Sequence, residues 1–412
     1  MNIAILSIGD ELLRGIIDNK NASYIANQLF INGFQTKTIL SVADDINDIV
    51  NALDELSRSH DMIITTGGLG PTSDDKTIEA IADWLNVPMV LNDEVKKTIQ
   101  NFYENQEVKY TKMRELMAML PQSAELLPNP VGAAPGVKVK KDNVFLFSLP
   151  GVPQEAQTIF DQSVLPWIIN NYSAYIWRVA YTFRNTRESE IAAVIEPMIE
   201  KFDTLSAAYL PSYGYLRIVF TAKKDYSQNV DFKKFISSLI YTFREFFVYD
   251  DIDKPEVYLH KLLVNSKKTL CTLESCTGGT VASKIVSNAG SSEYYKGTLV
   301  CYSNEIKEEI LDVPEEILAK KGAVSKETVK YMAENGKELF DTDYAVAISG
   351  IAGPTGGTQD KPVGLVHFAI ATPSKIFHYE FHFHGNREIV IESASNTAIL
   401  LLIQHLTRSN FE

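Results

Sequence analysis

Short apolar segments alternate with helical patterns at the start of the chain, and this alternation restricts the fold more than any other feature of the sequence. Three such segments lie within the first 68 residues, and helical patterns near Asn21–Asn32 and Asn47–Ser59 separate them. Strands that alternate with helices form a parallel sheet with helices on both faces, so the sequence predicts a parallel α/β sheet here. The three segments are NIAILSIG, TKTILSV and DMIITTGG.

The pattern of strands and helices changes twice further along the chain, which predicts three domains. A chain of 412 residues is too long for one ordinary hydrophobic core. Residues 1–171 are predicted to form the first α/β domain, in which VFLFSLPG adds a buried strand. Residues 172–250 have the order β-α-β-β-α, which predicts a small α+β domain with an antiparallel sheet. Its strands are AYIWRVAYTF, LSAAYLPS and YLRIVFTA.

The third predicted domain, residues 256–412, returns to an α/β pattern after the charged segment DDIDKPE. It is predicted to end in a helix from about Arg387 to Leu406, and Ser325 is expected to cap the helix that follows it. The predicted fold class is therefore α/β, with two three-layer α/β domains joined by a small α+β domain. The five predicted strands of the third domain are KTLCTLES, TLVCYS, YAVAISGIAG, VGLVHFAIAT and IFHYEFHFHG.

Composition and charge are typical of a soluble globular protein. Hydrophobic residues make up 45% and charged residues 22% of the chain, which argues against disorder. The net charge of -13 disfavours direct binding to nucleic acid or to anionic membranes. We expect a cytoplasmic protein, because the sequence shows neither a signal peptide nor an apolar membrane span. Three cysteines without CxxC spacing are expected to be reduced thiols: Cys271, Cys276 and Cys301.

The segment LESCTGG lies where a predicted buried strand meets a helix, which is where α/β proteins commonly bind ligands. Either Ser275 or Cys276 could act as a nucleophile there. The backbone amides of residues 277–279 could hold an oxyanion or a phosphate. The alternative, which this motif alone does not exclude, is that the hydroxyls cap the helix and the glycines allow close packing. The predicted binding residues are Glu274, Thr277, Gly278 and Gly279.

A second polar segment, CYSNEIK, follows the next apolar strand. It places Tyr302 at the strand end and Lys307 on the helical turn beyond, so both side chains could reach the same cleft as Ser275. A buried lysine with a lowered pKa can accept the proton of a serine hydroxyl, and Tyr302 could orient either partner. Most helix lysines are solvated instead, and sequence position alone does not overturn that alternative for Lys307.

The loop SGIAGPTGG, residues 349–357, has four glycines directly after a predicted strand. Glycines let backbone amides approach an anionic or carbonyl ligand, whereas a structural turn needs only one or two of them, so a ligand-binding loop is predicted. The spacing fits neither a P-loop nor a dinucleotide-binding fingerprint. The predicted binding residues are Ser349, Gly350, Gly353 and Gly356.

The segment HYEFHFHGNRE raises the question of a zinc site. On a strand, His378, Glu380, His382 and His384 would share one face, and aromatic residues would occupy the other. A half-buried strand with one packed aromatic face and one solvated polar face explains the same pattern more simply, and we favour it. Arg387, which follows this strand, is predicted to bind an anion.

Three loops that carry carboxylates follow predicted strands of the first domain: GDELLRG, TTGGLGPTSDD and LPGVPQE. Carboxyl ends of parallel strands meet at one edge of a sheet, so the sequence predicts a metal-assisted phosphate site there. Helix capping is the competing explanation for Asp74 and Asp75. The predicted metal ligands are Asp10, Glu11, Asp75 and Glu155, and the predicted ligand-binding residues are Gly67, Gly68, Gly70 and Thr72.

In the order in which they occur, LESCTGG, CYSNEIK, SGIAGPTGG and HGNR resemble segments of the competence/damage-inducible CinA family, whose C-terminal domain is a nicotinamide mononucleotide deamidase. The resemblance implies hydrolysis of the carboxamide to the acid and ammonia without a cofactor. It implies Ser275 as the nucleophile, with Lys307 and Tyr302 as activating partners. Arg387 and the 349–357 loop would hold the nucleotide. Similar proteins often carry an apolar residue at the Cys276 position, which favours the serine.

The segments GDELLRG, TTGGLGPTSDD, GAAPG and LPGVPQE resemble the molybdopterin-binding fold at the N-terminus of the same family. The resemblance implies that a divalent metal ion serves as cofactor for hydrolysis of ADP-ribose to AMP and ribose 5-phosphate. It also implies a homodimer with a small connecting domain. Two alternatives stay open. The first domain could bind a pterin or nucleotide without hydrolysis, or the chain could be an adaptor in competence or DNA damage with a recombination protein as partner.

Overall fold

The structure is a computed structural model that describes residues 1–172 and 177–408. These two ranges belong to two compact units, and each unit is built around its own sheets. The beginning of the predicted strand AYIWRVAYTF, residues 174–176, lies outside the described residues.

The first unit contains these strands: β1 Ile3–Ile8, β2 Thr36–Val42, β3 Met62–Thr66, β4 Met89–Leu91, β5 Met119–Pro121, β6 Glu125–Leu127, β7 Gly136–Lys141 and β8 Val144–Leu149. Six of them form a sheet in the order β2-β1-β3-β8-β7-β6. The first four in that order are parallel, which confirms the predicted parallel sheet. Strand β7 is antiparallel to β8, and β6 is antiparallel to β7. Strands β4 and β5 form a separate antiparallel pair.

The helices of the first unit are α1 Asp10–Leu13, α2 Lys20–Ile31, α3 Ile46–Ser57, α4 Thr77–Leu85, α5 Asp93–Glu104, α6 Lys112–Glu115, α7 Pro153–Ile159 and α8 Leu165–Asn171. Helices α2 and α3 confirm the two helices predicted between the first three strands. Adjacent residues of β1 face opposite ways, so Ile5 packs with Ile25 of α2 and Leu6 packs with Leu53 of α3. The sheet therefore carries helices on both faces, as three-layer α/β packing requires.

Residues 177–249 form an antiparallel sheet from β9 Trp177–Arg184, β10 Ser206–Ser212, β11 Tyr215–Ala222 and β12 Phe247–Tyr249, in the order β10-β11-β9-β12. Helices α9 Glu188–Ile199 and α10 Val230–Thr242 pack on it through one aromatic-rich core. The predicted β-α-β-β-α order is confirmed, and the short strand β12 is an addition that the sequence analysis did not predict.

A five-stranded sheet follows, built from β13 Leu270–Glu274, β14 Tyr295–Val300, β15 Tyr344–Gly350, β16 Leu365–Ala371 and β17 Ile376–His382. Its order is β14-β13-β15-β16-β17. The first three strands are parallel, and β16 and β17 are antiparallel to their neighbours. The five predicted strands are thus confirmed, and β13 lies inside the sheet with a parallel strand on each side.

The helices around this sheet are α11 Pro255–Ser266, α12 Thr280–Val286, α13 Asn304–Glu309, α14 Glu315–Lys321, α15 Lys326–Leu339 and α16 Arg387–Arg408. Helix α15 packs on one face, and α11 and α16 pack on the other. The Ser325 hydroxyl accepts a hydrogen bond from the backbone N–H of Thr328, which confirms Ser325 as a helix cap.

The four-stranded and five-stranded sheets belong to the same compact unit. Asn396 of α16 donates to the carbonyl of Tyr213, and Gln404 of α16 donates to the carbonyl of Phe247, so α16 is hydrogen-bonded to the smaller sheet. The division of these residues into separate domains at position 250 stays a prediction.

Helix α16 is long and apolar enough to cross a membrane by length and composition, with a mean hydropathy of 1.4 over its apolar window. The sequence analysis had not recognised such a segment. In the structure 78% of that window is buried inside the protein. A core helix of a globular protein has the same apolar character, because it is surrounded by hydrophobic side chains.

Candidate functional site

Ser275 lies directly after β13, at the carboxyl end of the parallel part of the five-stranded sheet. Its backbone N–H donates to the carbonyl of Ile348 at 3.0 Å, which ties the residue to the neighbouring strand β15. A tight turn then leads into α12. The side chain is almost completely buried. This is the strand-end position at which α/β proteins place ligand-binding groups.

Lys307 is the partner of Ser275. Its Nζ lies 3.3 Å from the Ser275 Oγ, although the two residues are 32 positions apart. The lysine is completely buried on α13, and its amine also donates to the carbonyls of Cys301, Tyr302 and Ser303. The structure therefore brings the predicted serine and lysine together, and it excludes the alternative that Lys307 is a solvated helix lysine.

Burial of Lys307 shifts its amine toward the neutral form. Among the described residues, no carboxylate lies within ion-pair distance of its Nζ. Burial lowers the pKa of Lys307 from its ordinary value. In its neutral form the amine has two N–H donors, which the three carbonyls share, and one lone pair that can accept the proton of the Ser275 hydroxyl. The pair can thus generate a serine nucleophile.

Glu274, the last residue of β13, is fully buried and holds the turn in place. One carboxylate oxygen accepts from the backbone N–H groups of Gly279 and Val281, and the other accepts from that of Ala282. A buried carboxylate at a helix N-terminus satisfies amides that have no partner within the helix. The prediction that Glu274 contacts a ligand is therefore wrong, because its oxygens bind the start of α12 and fix the turn that carries Ser275.

We expect Glu274→Gln to destabilise the protein by about 2 kcal/mol, because an NH2 group then faces amides that need an acceptor. Chemical denaturation of the variant and of Glu308→Gln, an exposed control on α13, measures the difference. Equal stability of the two variants would show that the carboxylate does not hold the turn.

The glycines of the LESCTGG segment do not provide the predicted oxyanion site. The N–H of Gly278 donates to the carbonyl of Ser275, and the N–H of Gly279 donates to Glu274. By contrast, the backbone N–H groups of Cys276 and Thr277 have no carbonyl acceptor among the residues that the structure describes. Those two amides, which immediately precede the glycines in the turn, are the donors available to a ligand.

Thr277 and Cys276 differ in what they offer to chemistry. The Thr277 hydroxyl is buried and has no hydrogen-bond partner among the described residues, so it can still bind a ligand. Burial raises the pKa of the Cys276 thiol to about 12. A thiol that stays protonated is a poor nucleophile, which favours Ser275 over Cys276. All three cysteines are free, as expected, and the structure buries all three.

Tyr302 and Arg387 form a second part of this site. The Tyr302 side chain is 61% exposed, and its hydroxyl accepts from Arg387 Nη2 at 3.1 Å. Arg387 Nη1 donates to the carbonyl of Gly353 at 2.9 Å. The predicted Arg387 is therefore hydrogen-bonded to Gly353 of the predicted loop. Tyr302 reaches Lys307 only through its backbone carbonyl, so its phenol is placed to orient the arginine and not to activate the serine.

The other predicted residues of the 349–357 loop have structural surroundings. The Ser349 hydroxyl is buried and donates to the carbonyl of Ala323. The structure therefore gives Ser349 a bond within the protein in place of the predicted ligand contact. Gly350 is part of β15, and a Cβ there would lie 2.6 Å from Val366 Cγ2. Close packing therefore explains Gly350. Gly356 has a positive φ of 88° in the exposed part of the loop.

A large cavity of about 990 Å³ lies in the first unit, at the carboxyl ends of β1, β3 and β8. The three predicted loops converge on it, as parallel strands require. Thr72 is not among its lining residues; its backbone N–H and hydroxyl both donate to Asp75. The predicted residues that line the cavity are Asp10, Glu11, Gly67, Gly68, Gly70, Asp75 and Glu155.

Two glycines of this loop are required by the fold. Gly67 and Gly68 both have positive φ angles, of 106° and 68°. A Cβ on Gly67 would lie 2.1 Å from the carbonyl oxygen of Ile8, and one on Gly68 would lie 2.2 Å from the Thr77 Oγ1. The loop can approach β1 and α4 only without side chains at these positions.

Asp44, which the sequence analysis missed, also lines the cavity. Its carboxylate accepts from the backbone N–H of Asp10 at 2.8 Å. Burial raises the pKa of Asp44, and the negative charges of Glu11, Asp10 and Asp74 raise it further. A pKa raised by neighbouring carboxylates indicates a site with excess negative charge, which a bound cation would relieve. The signal was available, because Asp44 lies two residues after the end of the predicted strand TKTILSV.

The predicted metal ligands of the first unit do not form a complete shell. Within the part of the chain that the structure describes, no three carboxylates of this cavity bring oxygens close enough together to hold one ion. The Asp10 carboxylate pairs with Arg14, the Asp75 carboxylate binds Thr72, and the Glu155 carboxylate accepts from Asn129. The expectation of four converging carboxylate ligands is therefore wrong.

Fold and sites together define a two-unit α/β protein. It has a buried serine–lysine pair in one unit and an acidic, glycine-lined cavity in the other. The chain belongs to the CinA family. Residues 253–406 match the CinA C-terminal domain, and residues 4–170 match the family model "Probable molybdopterin binding domain".

Full-length relatives support the assignment. A CinA-like protein of Petrotoga mobilis is 35% identical over 397 residues, which cover 96% of each chain. A CinA-like protein of Citrifermentans bemidjiense is 35% identical over 406 residues, which cover 98% of each chain. A solved structure of CinA from Thermoplasma acidophilum is 30% identical to this chain, with a TM-score of 0.38; the match covers 40% of this chain and 96% of that one.

Proposed function

We propose that the second unit hydrolyses the carboxamide of nicotinamide mononucleotide to nicotinate mononucleotide and ammonia. The observation that carries the proposal is the 3.3 Å contact between the Lys307 Nζ and the Ser275 Oγ, in which the lysine is fully buried and its pKa is lowered. A serine next to a neutral lysine is a nucleophile for acyl transfer. The substrate itself is suggested by the family resemblance of the site segments.

In the proposed mechanism the Ser275 Oγ attacks the carboxamide carbon while Lys307 takes the hydroxyl proton. The amides of Cys276 and Thr277 donate to the oxyanion of the tetrahedral intermediate. The C–N bond then breaks, and ammonia leaves with the proton that Lys307 returns. Water attacks the acyl-enzyme and gives a proton to Lys307. Ser275 takes that proton as the ester bond breaks, and the carboxylic acid is released and loses its own proton to solvent.

Arg387 is proposed to bind the phosphate of the mononucleotide. Its guanidinium is held by Gly353 and Tyr302, and those two bonds use two of its five N–H donors. The remaining donors can form the paired hydrogen bonds with which arginine recognises phosphate. Tyr302 then acts as a positioning residue, because it fixes the direction of the guanidinium.

Ammonia release from nicotinamide mononucleotide, measured with the purified chain, tests the amidase proposal. We expect release to continue in the presence of a chelator, because the proposed chemistry uses only the protein's own groups. Nicotinamide riboside, which lacks the phosphate, is expected to be a much poorer substrate because it cannot pair with Arg387. No ammonia from the mononucleotide would refute the proposal.

We also propose that the first unit hydrolyses ADP-ribose to AMP and ribose 5-phosphate with a divalent metal ion. The supporting observation is the cavity of about 990 Å³, which is lined by glycine-rich loops and by carboxylates. That volume suits a nucleotide-sized ligand. Exposed backbone amides in a glycine-rich loop are suited to a diphosphate.

The donor set fits a hard cation such as Mg²⁺, because all of the candidate ligands are carboxylate oxygens. Magnesium commonly uses only one or two carboxylates and completes its shell with water and substrate phosphates. Glu11 and Asp44 would hold it, since their charges repel each other in its absence. When bound, the ion would neutralise charge on the diphosphate and lower the pKa of the attacking water.

We expect Asp44→Asn to lower ADP-ribose hydrolysis about 100-fold, since a charged metal ligand is worth several kcal/mol. The amide oxygen can still accept from Asp10, and removal of a repelled carboxylate does not destabilise the fold. The assay measures AMP release at several magnesium concentrations, with Asp48→Asn on α3 as the control outside the cavity. Unchanged hydrolysis in the Asp44 variant would show that this carboxylate does not belong to the site. If the parent protein hydrolyses neither nicotinamide mononucleotide nor ADP-ribose, a binding or adaptor protein is favoured.

A further inference from the structure

Strand β17 is the edge strand of the five-stranded sheet, and its two faces differ as predicted. Tyr379 and Phe381 pack against the large core that contains α16. On the opposite face, His378 is half-buried and Glu380 is exposed. The sequence pattern of this strand alone favours a purely structural explanation. The structure adds a histidine from the neighbouring strand.

That histidine is His367 of β16, which stands directly opposite Glu380 in the strand pairing. Its Nδ1 lies 3.0 Å from the Nε2 of His378 and 3.6 Å from a carboxylate oxygen of Glu380. All three ligand atoms lie within 4.8 Å of one another. Among the described residues this is the one group of three that could hold a metal ion.

Two of the three distances between ligand atoms are close to those of a zinc-type site. Zinc binds nitrogen and oxygen ligands at about 2.0–2.2 Å, so tetrahedral ligands stand roughly 3.3–3.6 Å apart. The distances from His367 Nδ1 to His378 Nε2 and to Glu380, 3.0 and 3.6 Å, lie close to this range without any movement of the backbone. Two histidines and one carboxylate are also a common donor set for zinc with one open position.

Protonation does not oppose binding. Burial lowers the pKa of His367 and of His378, which favours the neutral form in which a histidine ring binds a metal ion. In the metal-free pair, an N–H group of one ring donates a hydrogen bond to the nitrogen of the other ring. A shift of that proton to the other nitrogen of the same ring frees both contacting lone pairs without loss of a proton to solvent. The charged groups that influence the pair are Glu380, Glu327, Lys326, Lys330 and Lys361.

We propose that His367 Nδ1, His378 Nε2 and Glu380 bind one divalent transition-metal ion, with zinc as the best match, and that its fourth position is open to solvent. The Glu380 side chain is 59% exposed, so an ion can enter from that side. This site is separate from the serine–lysine pair and from the acidic cavity, and it does not depend on the activities proposed for them.

Titration of the full chain with Co²⁺, followed by visible absorption, tests the proposal. Cobalt in a tetrahedral site with nitrogen ligands absorbs strongly, whereas cobalt bound only by oxygens in the acidic cavity gives weak octahedral bands. We expect one strong site in the parent. His378→Ala and Glu380→Gln should each weaken that site by at least about 100-fold, because loss of even an outer partner of a metal ligand costs 10–100-fold.

His384→Ala is the matched control, because His384 follows the same strand but lies outside the cluster. It should bind Co²⁺ as the parent does. Zinc should raise the Tm of the parent and of this control, but not that of Glu380→Gln, since an ion that binds only the folded state stabilises it. The proposal is overturned if the parent shows no strong cobalt band, or if Glu380→Gln and His378→Ala bind Co²⁺ as tightly as the parent. Either result would reduce the cluster to a hydrogen-bonded pair of neutral histidines.

Discussion

Ser275→Ala is expected to lower ammonia release from nicotinamide mononucleotide by at least about 10³-fold, because the variant lacks the atom that attacks the carboxamide. The fold should survive the change. Only the Oγ is removed, and Lys307 keeps its three carbonyl acceptors. Hydrolysis of ADP-ribose should be unchanged, since it is proposed for the other unit. The measurement is single-turnover and steady-state ammonia release, with circular dichroism to verify folding.

Cys276→Ala is the matched control for the serine variant. The thiol is the neighbouring side chain, and burial keeps its pKa near 12, so it should contribute little as a nucleophile. We expect the cysteine variant to retain most of the parental activity. The opposite pattern, an active Ser275→Ala and an inactive Cys276→Ala, would assign the nucleophile to the thiol and contradict the proposed mechanism.

The sequence was sufficient to predict the positions of strand ends. It was also sufficient to predict most residues of the serine–lysine site and of the acidic cavity. The segment LESCTGG follows a short apolar run, and parallel strands bring their carboxyl ends to one edge. That rule placed Ser275 near Lys307 and brought Asp10 and Glu155 to one cavity. The geometric rule works because a sheet fixes the backbone of each strand end relative to its neighbours.

The direction of each polar group was not predictable in the same way. Glu274 and Ser349 have the chemistry of ligand-binding residues, but the structure uses their oxygens to bind Ala282, Gly279 and Ala323. Which donors a buried carboxylate satisfies depends on the path of the turn that follows, and a strand-and-helix pattern does not contain that path. The same limitation explains why Gly278 was expected to supply an amide that is already bonded to Ser275.

The sequence pattern also could not predict which side chains meet across neighbouring strands. His367 lies in the apolar segment VGLVHFAIAT, where a single histidine gives no signal. Its proximity to His378 depends on the antiparallel register of β16 and β17, which pairs His367 with Glu380. A shift of one residue in that register would turn His367 away from the polar face of β17.

Lys307→Met should abolish ammonia release, again by at least about 10³-fold, because methionine cannot accept the serine proton. It should also destabilise the protein by about 2 kcal/mol, since the carbonyls of Cys301, Tyr302 and Ser303 lose a common donor. Lys307→Gln separates the two effects. Glutamine keeps N–H donors for carbonyls but has no basic nitrogen, so we expect an inactive variant that is more stable than the methionine variant.

The pH dependence gives an independent test of the lysine. Its pKa is lower in the folded chain than the ordinary value of 10.5, so the folded state binds fewer protons than the unfolded state between those two values. Stability therefore rises with pH across that window in the parent, and the rise should be absent in Lys307→Met. The parental kcat/KM should increase as the pH rises toward the pKa of Lys307 in the folded chain and level off above it, because the amine becomes neutral there. An activity that falls as the lysine loses its proton would mean that the ammonium form is required, and Lys307 could not be the base that activates Ser275.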